Sequence, residues 1–462
     1  MPDDDERVPE DEFLAMLREL LSNQSGIDPQ QLASAAGLPN DPELIAQLMR
    51  QLQSALRGSG DGINWGLALE QARSRATVEQ LTTTDEQREK LELAFSVAAL
   101  WLGEATAISE LTATPKLLSR TEWIEATMPV WIQLAEPVAS SIADALTGVL
   151  QEQAPEEMAG MISGASKLVR NVGGTLFAMQ LGQVVGQLGA EVISGGDIGI
   201  PLLDSGAVSE TQAAILPQNL AAFGVGLDID SDQVQLYIAV RELAHARLFR
   251  HAKWLRLQFM TSITKSASGI GIDTARLEEL ASDFDPSNPE DLRQAMVSGA
   301  LIRPKSDAQL EALGRLETTL ALVEGWVDVV TAQATARLPK SGAIAETVRR
   351  RRAAGGPAES AFATLVGLEL RPRRLREAAA MWQAVTDAVG SDKRDALWSH
   401  PDLVPSQDDI DDPQALIARL TAGEPEPDDI DRAIEDLLGD DSGRRPREGD
   451  DGSAEDPLPP VV

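Results

Sequence analysis

Apolar side chains recur along this chain mostly at three- and four-residue spacing, the period that lines one face of an α-helix. Phe13, Leu17, Leu20 and Leu21 form one such stripe, and Leu44, Leu48, Leu52 and Leu56 form another, so residues 9–57 are expected to make a small helical unit. The run GSGDG at 58–62 follows as a flexible break. Thr84 and Gln87 stand at capping-box spacing and predict a helix through Leu91, Phe95 and Ala98. A further helical run begins at Glu122 and carries Trp123, Met128 and Trp131. Ser306 and Gln309 form a second capping box, whose helix should run until Pro339 breaks it.

Two stretches have a different texture. The uncharged residues from Asn171 to Ala190 are long enough to span a bilayer, but Asn171, Gln180, Gln183 and Gln187 interrupt them, so a buried helix fits better than membrane insertion. Gly182, Gly186 and Gly189 would let neighbouring helices come close to it. Between Gly195 and Asp230, Gly, Pro and Asp punctuate short apolar runs, and the few strands are expected there. The fold class that follows is mainly α with a few short β-strands. From Asp402 to Val462 there are nineteen acidic and five basic residues with many Pro and Gly, a composition that cannot bury enough apolar area to order itself. The expected organisation is an N-terminal helical segment (1–57), a helical domain (58–402) and an acidic, largely disordered tail (403–462) in which Leu416, Ile417 and Leu420 could pack briefly.

Charge narrows the function classes. With Lys+Arg 40 against Asp+Glu 73 the formal charge is -33, a sign that disfavours nucleic acid and anionic membranes and leaves proteins or peptides as the expected partners. There are no cysteines, so any zinc must be held by His, Asp or Glu. The opening MPDDDER has neither a basic segment nor an apolar one, so no secretion signal and a cytoplasmic location are expected.

The chemistry, if any, concentrates in Val234 to His251, VQLYIAVRELAHARLFRH, where helical phase puts Val234, Tyr237, Ile238, Arg241, His245 and Leu248 on one face. Arg241-Glu242-x-x-His245 has the spacing of H-E-x-x-H with its first residue changed. In the intact motif two histidines one turn apart hold zinc, the glutamate polarises the zinc-bound water, and a third ligand comes from elsewhere. His251 has the spacing of a third histidine, but Leu248 stands where a glycine would turn the backbone, so His251 should point away. Glu324 is the stronger third ligand, because it shares an apolar stripe with Leu313, Leu320 and Val327. Gly325 beside it would permit close helix contact, and Asp328 one turn later could support His245. E-x-x-H also occurs on ordinary amphipathic helices, where such residues are satisfied core polar groups.

Other features have plainer expectations. Arg349 to Arg352 with Arg371, Arg373, Arg374 and Arg376 form a basic island, read as partners of internal carboxylates such as Glu346, Glu359, Glu369 and Glu377. Gly355-Gly356-Pro357 reads as a helix break. His400, just past a helix ending at Trp398, is either a loop cap or a distant member of the site.

Four blocks together resemble the bacterial zinc-dependent metalloprotease family of type 2 zincins, also described as hydrolases. They are YIAVRELAHARLFRHAKWLR (Tyr237 to Arg256), TLALVEGWVDVV (Thr319 to Val330), RRRRAAGGPAESAFATLVGLELRPRRLREAAAMW (Arg349 to Trp382) and LWSHPDLVP (Leu397 to Pro405). The resemblance implies a zincin-like helical core, a metallopeptidase activity, zinc held by His245 and Glu324, and Glu242 as general base. Arg241 departs from the family motif, for a guanidinium has no lone pair to offer a metal. Held about 4 Å from a dication it would oppose binding by roughly 8 kcal/mol at an effective dielectric near 20, a large part of the roughly 10–16 kcal/mol seen for structural zinc. Arg241 is therefore expected to cover the metal position and pair with Glu324 or Glu242, and zinc is a cofactor that the resemblance favours and this residue opposes. Two functions follow: a zinc-dependent peptidase or hydrolase with a degenerate site, or a non-catalytic zincin-fold protein that binds protein or peptide partners.

Overall fold

Asn64 caps the first helix among the described residues of the computed structural model, α1 (Trp65–Thr77), and Thr84 with Gln87 closes the expected capping box of α2 (Asp85–Ala105). The run from Glu122 lies in α3 (Arg120–Glu152), and the uncharged stretch lies in α4 (Ala159–Glu191). A short α5 (Pro217–Gly224) leads into α6 (Ser231–His251) and α7 (Trp254–Ser268). The second capping box opens α8 (Asp307–Ala334), which stops before Pro339, and α9 (Ser341–Ala353) and α10 (Leu375–Ala396) follow. A 3-10 turn (Pro401–Leu403) and two short helices, α11 (Gln407–Asp411) and α12 (Pro413–Thr421), come last. The described residues are 63–78, 80–152, 159–203, 212–268, 306–353, 359, 363 and 373–422, with side chains left out at 142–172 and at the ends of α7 and α9. The expectations for residues 1–57, GSGDG, Gly355-Gly356-Pro357 and the chain beyond 422 lie outside them.

The protein is mainly α, as the periodicity predicts. Strand structure is confined, among the described residues, to β1 (Lys116–Leu117) paired in parallel with β2 (Ala214–Ile215), and to a bridge from Ser194 to Ile215. β2 and the bridge fall at or just beside the Gly- and Pro-punctuated stretch, whereas β1 comes from earlier in the chain. No helix of the described residues is long and apolar enough to cross a membrane.

α6 and α8 are the most enclosed elements. Every residue from Tyr237 to Phe249 of α6 is buried, and so is every residue from Thr319 to Thr331 of α8. A helix covered on all sides must carry an apolar or fully paired side chain at each position, so the polar residues it holds need partners inside the protein. α6 packs on α2 and α8, while α8 packs also on α7 and α10. Gly325 is where α8 meets α10: a Cβ there would lie 2.8 Å from the Ala379 nitrogen, so the expected close contact is present.

A second group forms where α1 and α3 pack on α4. Ala68, Ala72 and Ala76 of α1 are fully buried against Leu181, Val185 and Leu188 of α4. A Cβ on Gly182 would lie 2.4 Å from the Ala68 carbonyl oxygen, so only glycine permits this approach.

At the other end, Asp395 gathers three helices. Its carboxylate accepts from Thr106 Oγ1 at 2.6 Å, the Ala107 N–H at 2.8 Å, Trp326 Nε1 at 2.9 Å and Arg394 Nε at 2.7 Å. Arg394, also fully buried, donates to the Ala105 carbonyl at 2.9 Å. The acidic stretch opens with packed helices, as Leu416, Ile417 and Leu420 allow. α11 and α12 dock on α10 with Ile410 and Leu416 buried, so ordered packing continues through Thr421. Two of the acidic groups there are neutralised: Arg419 pairs with Asp409 at 2.6 Å, and Arg374 with Asp411 at 2.5 Å.

Candidate functional site

α6 and α8 face each other with Arg241 and His245 on one and Glu324 on the other. Glu324 is completely buried, and its two carboxylate oxygens are divided among three partners. Arg241 donates to Oε2, Arg352 from α9 donates to Oε1, and His245 Nε2 stands 3.2 Å from Oε1. Burial pushes the Glu324 carboxyl upward, but Arg352, Arg241 and His245 outweigh it and hold the group well below the usual carboxylate range. Burial works against the Arg241 charge too, and the field of Glu324 overcomes it, so the guanidinium holds its proton more firmly than usual.

Glu242 faces a different way. Oε2 accepts the Gly196 N–H at 2.7 Å and Oε1 the Ala214 N–H at 2.8 Å, which ties the loop after α4 and strand β2 to α6. Burial raises its pKa, and the two backbone donors only partly offset that. The crevice beside Glu242 and His245, lined also by Gly195, Gly196, Leu203 and Phe249, has a volume of about 20 Å³, room for roughly one water molecule.

The loop at 195–199, Gly-Gly-Asp-Ile-Gly, lies directly over the cluster. A Cβ on Gly196 would come within 2.7 Å of the His245 ring. Gly199 has φ +81°, and a Cβ there would stand 2.7 Å from both Arg352 Nη2 and Glu324 Oε1. Asp197 in the same loop accepts the Ile193 N–H at 3.0 Å and pairs with Arg351 at 2.9 Å, while its carbonyl accepts from Arg352.

The structure thus brings together Arg241, His245 and Glu324, and places Glu242 next to them with its oxygens turned to the backbone. Asp328 is buried near Tyr237 but does not reach His245. Arg349 grips it instead, with Nη2 2.7 Å from Oδ2 and Nε 3.1 Å from both oxygens. Tyr237, buried beside these charges, has its phenol pushed up to about 12, chiefly by burial. His251 is exposed at the end of α6, away from the cluster, as the missing turn at Leu248 predicts. His400 is exposed too, and its ring accepts the Asp402 N–H at 3.3 Å, so it caps the 3-10 turn. The basic island does satisfy carboxylates: Arg350 pairs with Glu346 and Arg374 with Glu377. Its more telling partners, Glu324, Asp328 and Asp197, are not among those the sequence suggested. The only available signal was a run of four arginines one helix after two buried acids.

Zinc does not fit this set of side chains. Arg241 cannot ligate, the Glu324 oxygens are held by two guanidiniums, and among the described residues no group of three His, Asp or Glu could hold a metal ion.

An E-x-x-H helix facing a glutamate from a second buried helix is the frame of a zincin-type protein. The sequence profile of the zincin-like metallopeptidase family matches residues 63–417, and the chain belongs to that family. In fold it is similar to a protein from Chloroflexus aurantiacus whose crystal structure is described as that of a candidate hydrolase with a novel fold. The two share 20% sequence identity with a TM-score of 0.54 over 78% of this chain and 100% of the other. No curated protein matches the sequence.

Proposed function

We propose that this chain is a non-hydrolytic member of its family that acts by binding protein or peptide partners. The observation that supports this most is the saturation of Glu324 by Arg241 and Arg352, which removes the third zinc ligand from service. Glu242, the expected general base, is likewise engaged by two backbone N–H groups beside a crevice too small for a peptide. A general base needs an accessible lone pair within reach of the proton it removes. Leu93 and Leu100 stand exposed two turns apart on one face of α2 of an otherwise acidic protein, and a partner would be expected to touch them first.

The opposing reading, a working hydrolase, draws on the family and on the description of the Chloroflexus protein. Incubating the purified protein with a mixed peptide library, with and without micromolar zinc, separates the two. No cleavage is expected in either buffer. Zinc-dependent cleavage that disappears in Glu242→Gln would overturn the proposal.

A further inference from the structure

We infer that Arg241 and Arg352 jointly replace a metal ion in this chain, bringing two positive charges to the carboxylate that a dication would otherwise bind, and that the remaining ligands are still in register for zinc. This deepens the reading of a non-hydrolytic family member and rests on it. His245 Nε2 and Glu324 Oε1 stand 3.2 Å apart. Two ligand atoms each about 2.0–2.1 Å from a tetrahedral zinc would be separated by about 3.3 Å. That spacing is also the one a hydrogen bond sets, so the pair is already at the separation zinc needs while its cation is supplied by side chains.

The two arginines come from different elements. Arg241 lies on α6, one turn before His245, where the first histidine of the motif would stand. Arg352 comes from the far end of α9, and the Asp197 carbonyl accepts from the same guanidinium that bonds Glu324. Gly199 leaves room for it, since a Cβ there would meet Arg352 Nη2. Replacing Arg241 alone restores a ligand but leaves a guanidinium on Glu324, against which a dication must compete. Zinc should bind tightly only when both positive charges have gone.

Zinc content after dialysis against micromolar zinc, zinc titration by calorimetry, and melting with zinc or EDTA should be measured on four full-length proteins: wild type, Arg241→His, Arg352→Gln and the double variant. The wild type and Arg352→Gln should hold no stoichiometric zinc and melt identically in both buffers. The double variant should bind one zinc, with at least a hundredfold lower Kd than Arg241→His. If the double variant does not fold without metal, refolding with and without zinc supplies the readout, and recovery with zinc only supports the inference. Unit-stoichiometry zinc in the wild type would overturn it. So would equal zinc affinity in Arg241→His and the double variant, or a double variant that neither binds zinc nor folds with it. These readouts are independent of peptide cleavage, so a hydrolytic wild type that holds no zinc would sink the proposed function and leave this inference standing.

Discussion

Where α1 meets α4 the contact is made by Ala68, Ala72, Leu181 and Val185, with Gly182 letting the backbones touch. Where α6 meets α8 the contact holds Arg241, His245 and Glu324, all buried too, with Glu324 as completely enclosed as those apolar residues. The first contact is limited by volume, since any added atom collides with backbone. The second is limited by pairing, because each charge is tolerable only while its partners remain. A buried site of this kind is hard to lose piecemeal: when the metal-binding residue goes, the acid left behind requires another cation.

The strongest test of that contrast is Glu324→Gln, which strands two guanidiniums and should destabilise the fold by about 3–5 kcal/mol. Arg241→Ala should lose only about 1–3 kcal/mol, because Arg352 and His245 still serve the carboxylate. Urea unfolding of both variants checks the ranking, and equal losses would show that Arg352 carries none of the pairing.

Gly182→Val breaks the other contact and should lose about 1–3 kcal/mol through overpacking. It should do so equally at every pH, since no titratable group is involved. Gly199→Ala belongs to the polar side and should lose about 1–2 kcal/mol for its left-handed backbone alone. Crowding against Arg352 adds to that. Thermal melts of the two variants, read side by side, show whether loop and bundle fail independently.

The pH dependence divides the two acids of the site. Glu324 is held below its ordinary value, so its contribution is complete above the unfolded pKa of about 4.3 and is lost only as pH falls through the lower folded value. Glu242 is raised, so its contribution is complete below about 4.3 and lost as pH rises through the higher folded value. Relative to Glu242→Gln, the wild type should therefore gain stability as pH is lowered from about 8 toward about 4.3. A constant difference in urea midpoint across that range would contradict the assignment. The smallest effect marks the zero of the scale: ending the chain after Gly423 should change stability by less than about 0.5 kcal/mol in a urea titration.

The helical fold was legible because its signals are local. Capping boxes at Thr84 and Ser306 and the burial of Leu91, Phe95, Trp123 and Trp131 need only a few neighbouring residues to be read. The facing of Arg241 and Glu324 was legible for a related reason, since each sits on an apolar stripe and a buried guanidinium must have a partner. Arg352 on Glu324 and Arg349 on Asp328 were not, because nothing in a run of arginines says which distant acid each reaches. The role of Glu242 was hidden as well: besides the Ser194 side chain, it is held by backbone N–H groups of a loop and a two-residue strand, which have no side-chain signature. In the acidic stretch, Leu416, Ile417 and Leu420 were legible as residues able to pack, and they do; the burial of Ile410 was not, because a single apolar residue among aspartates has no periodic neighbours.

The knot at Asp395 has a consequence for how the molecule breathes. Ala107 lies past the end of α2 with an exposed side chain, and backbone amides in such places normally trade their hydrogens with water through small local openings. Its N–H is instead held by a carboxylate that also holds Trp326 of α8, Thr106 beside α2 and Arg394 of α10. Because the acceptor is itself fixed by two other helices, a position that looks like loose loop should exchange its hydrogen more slowly than exposed loop amides do.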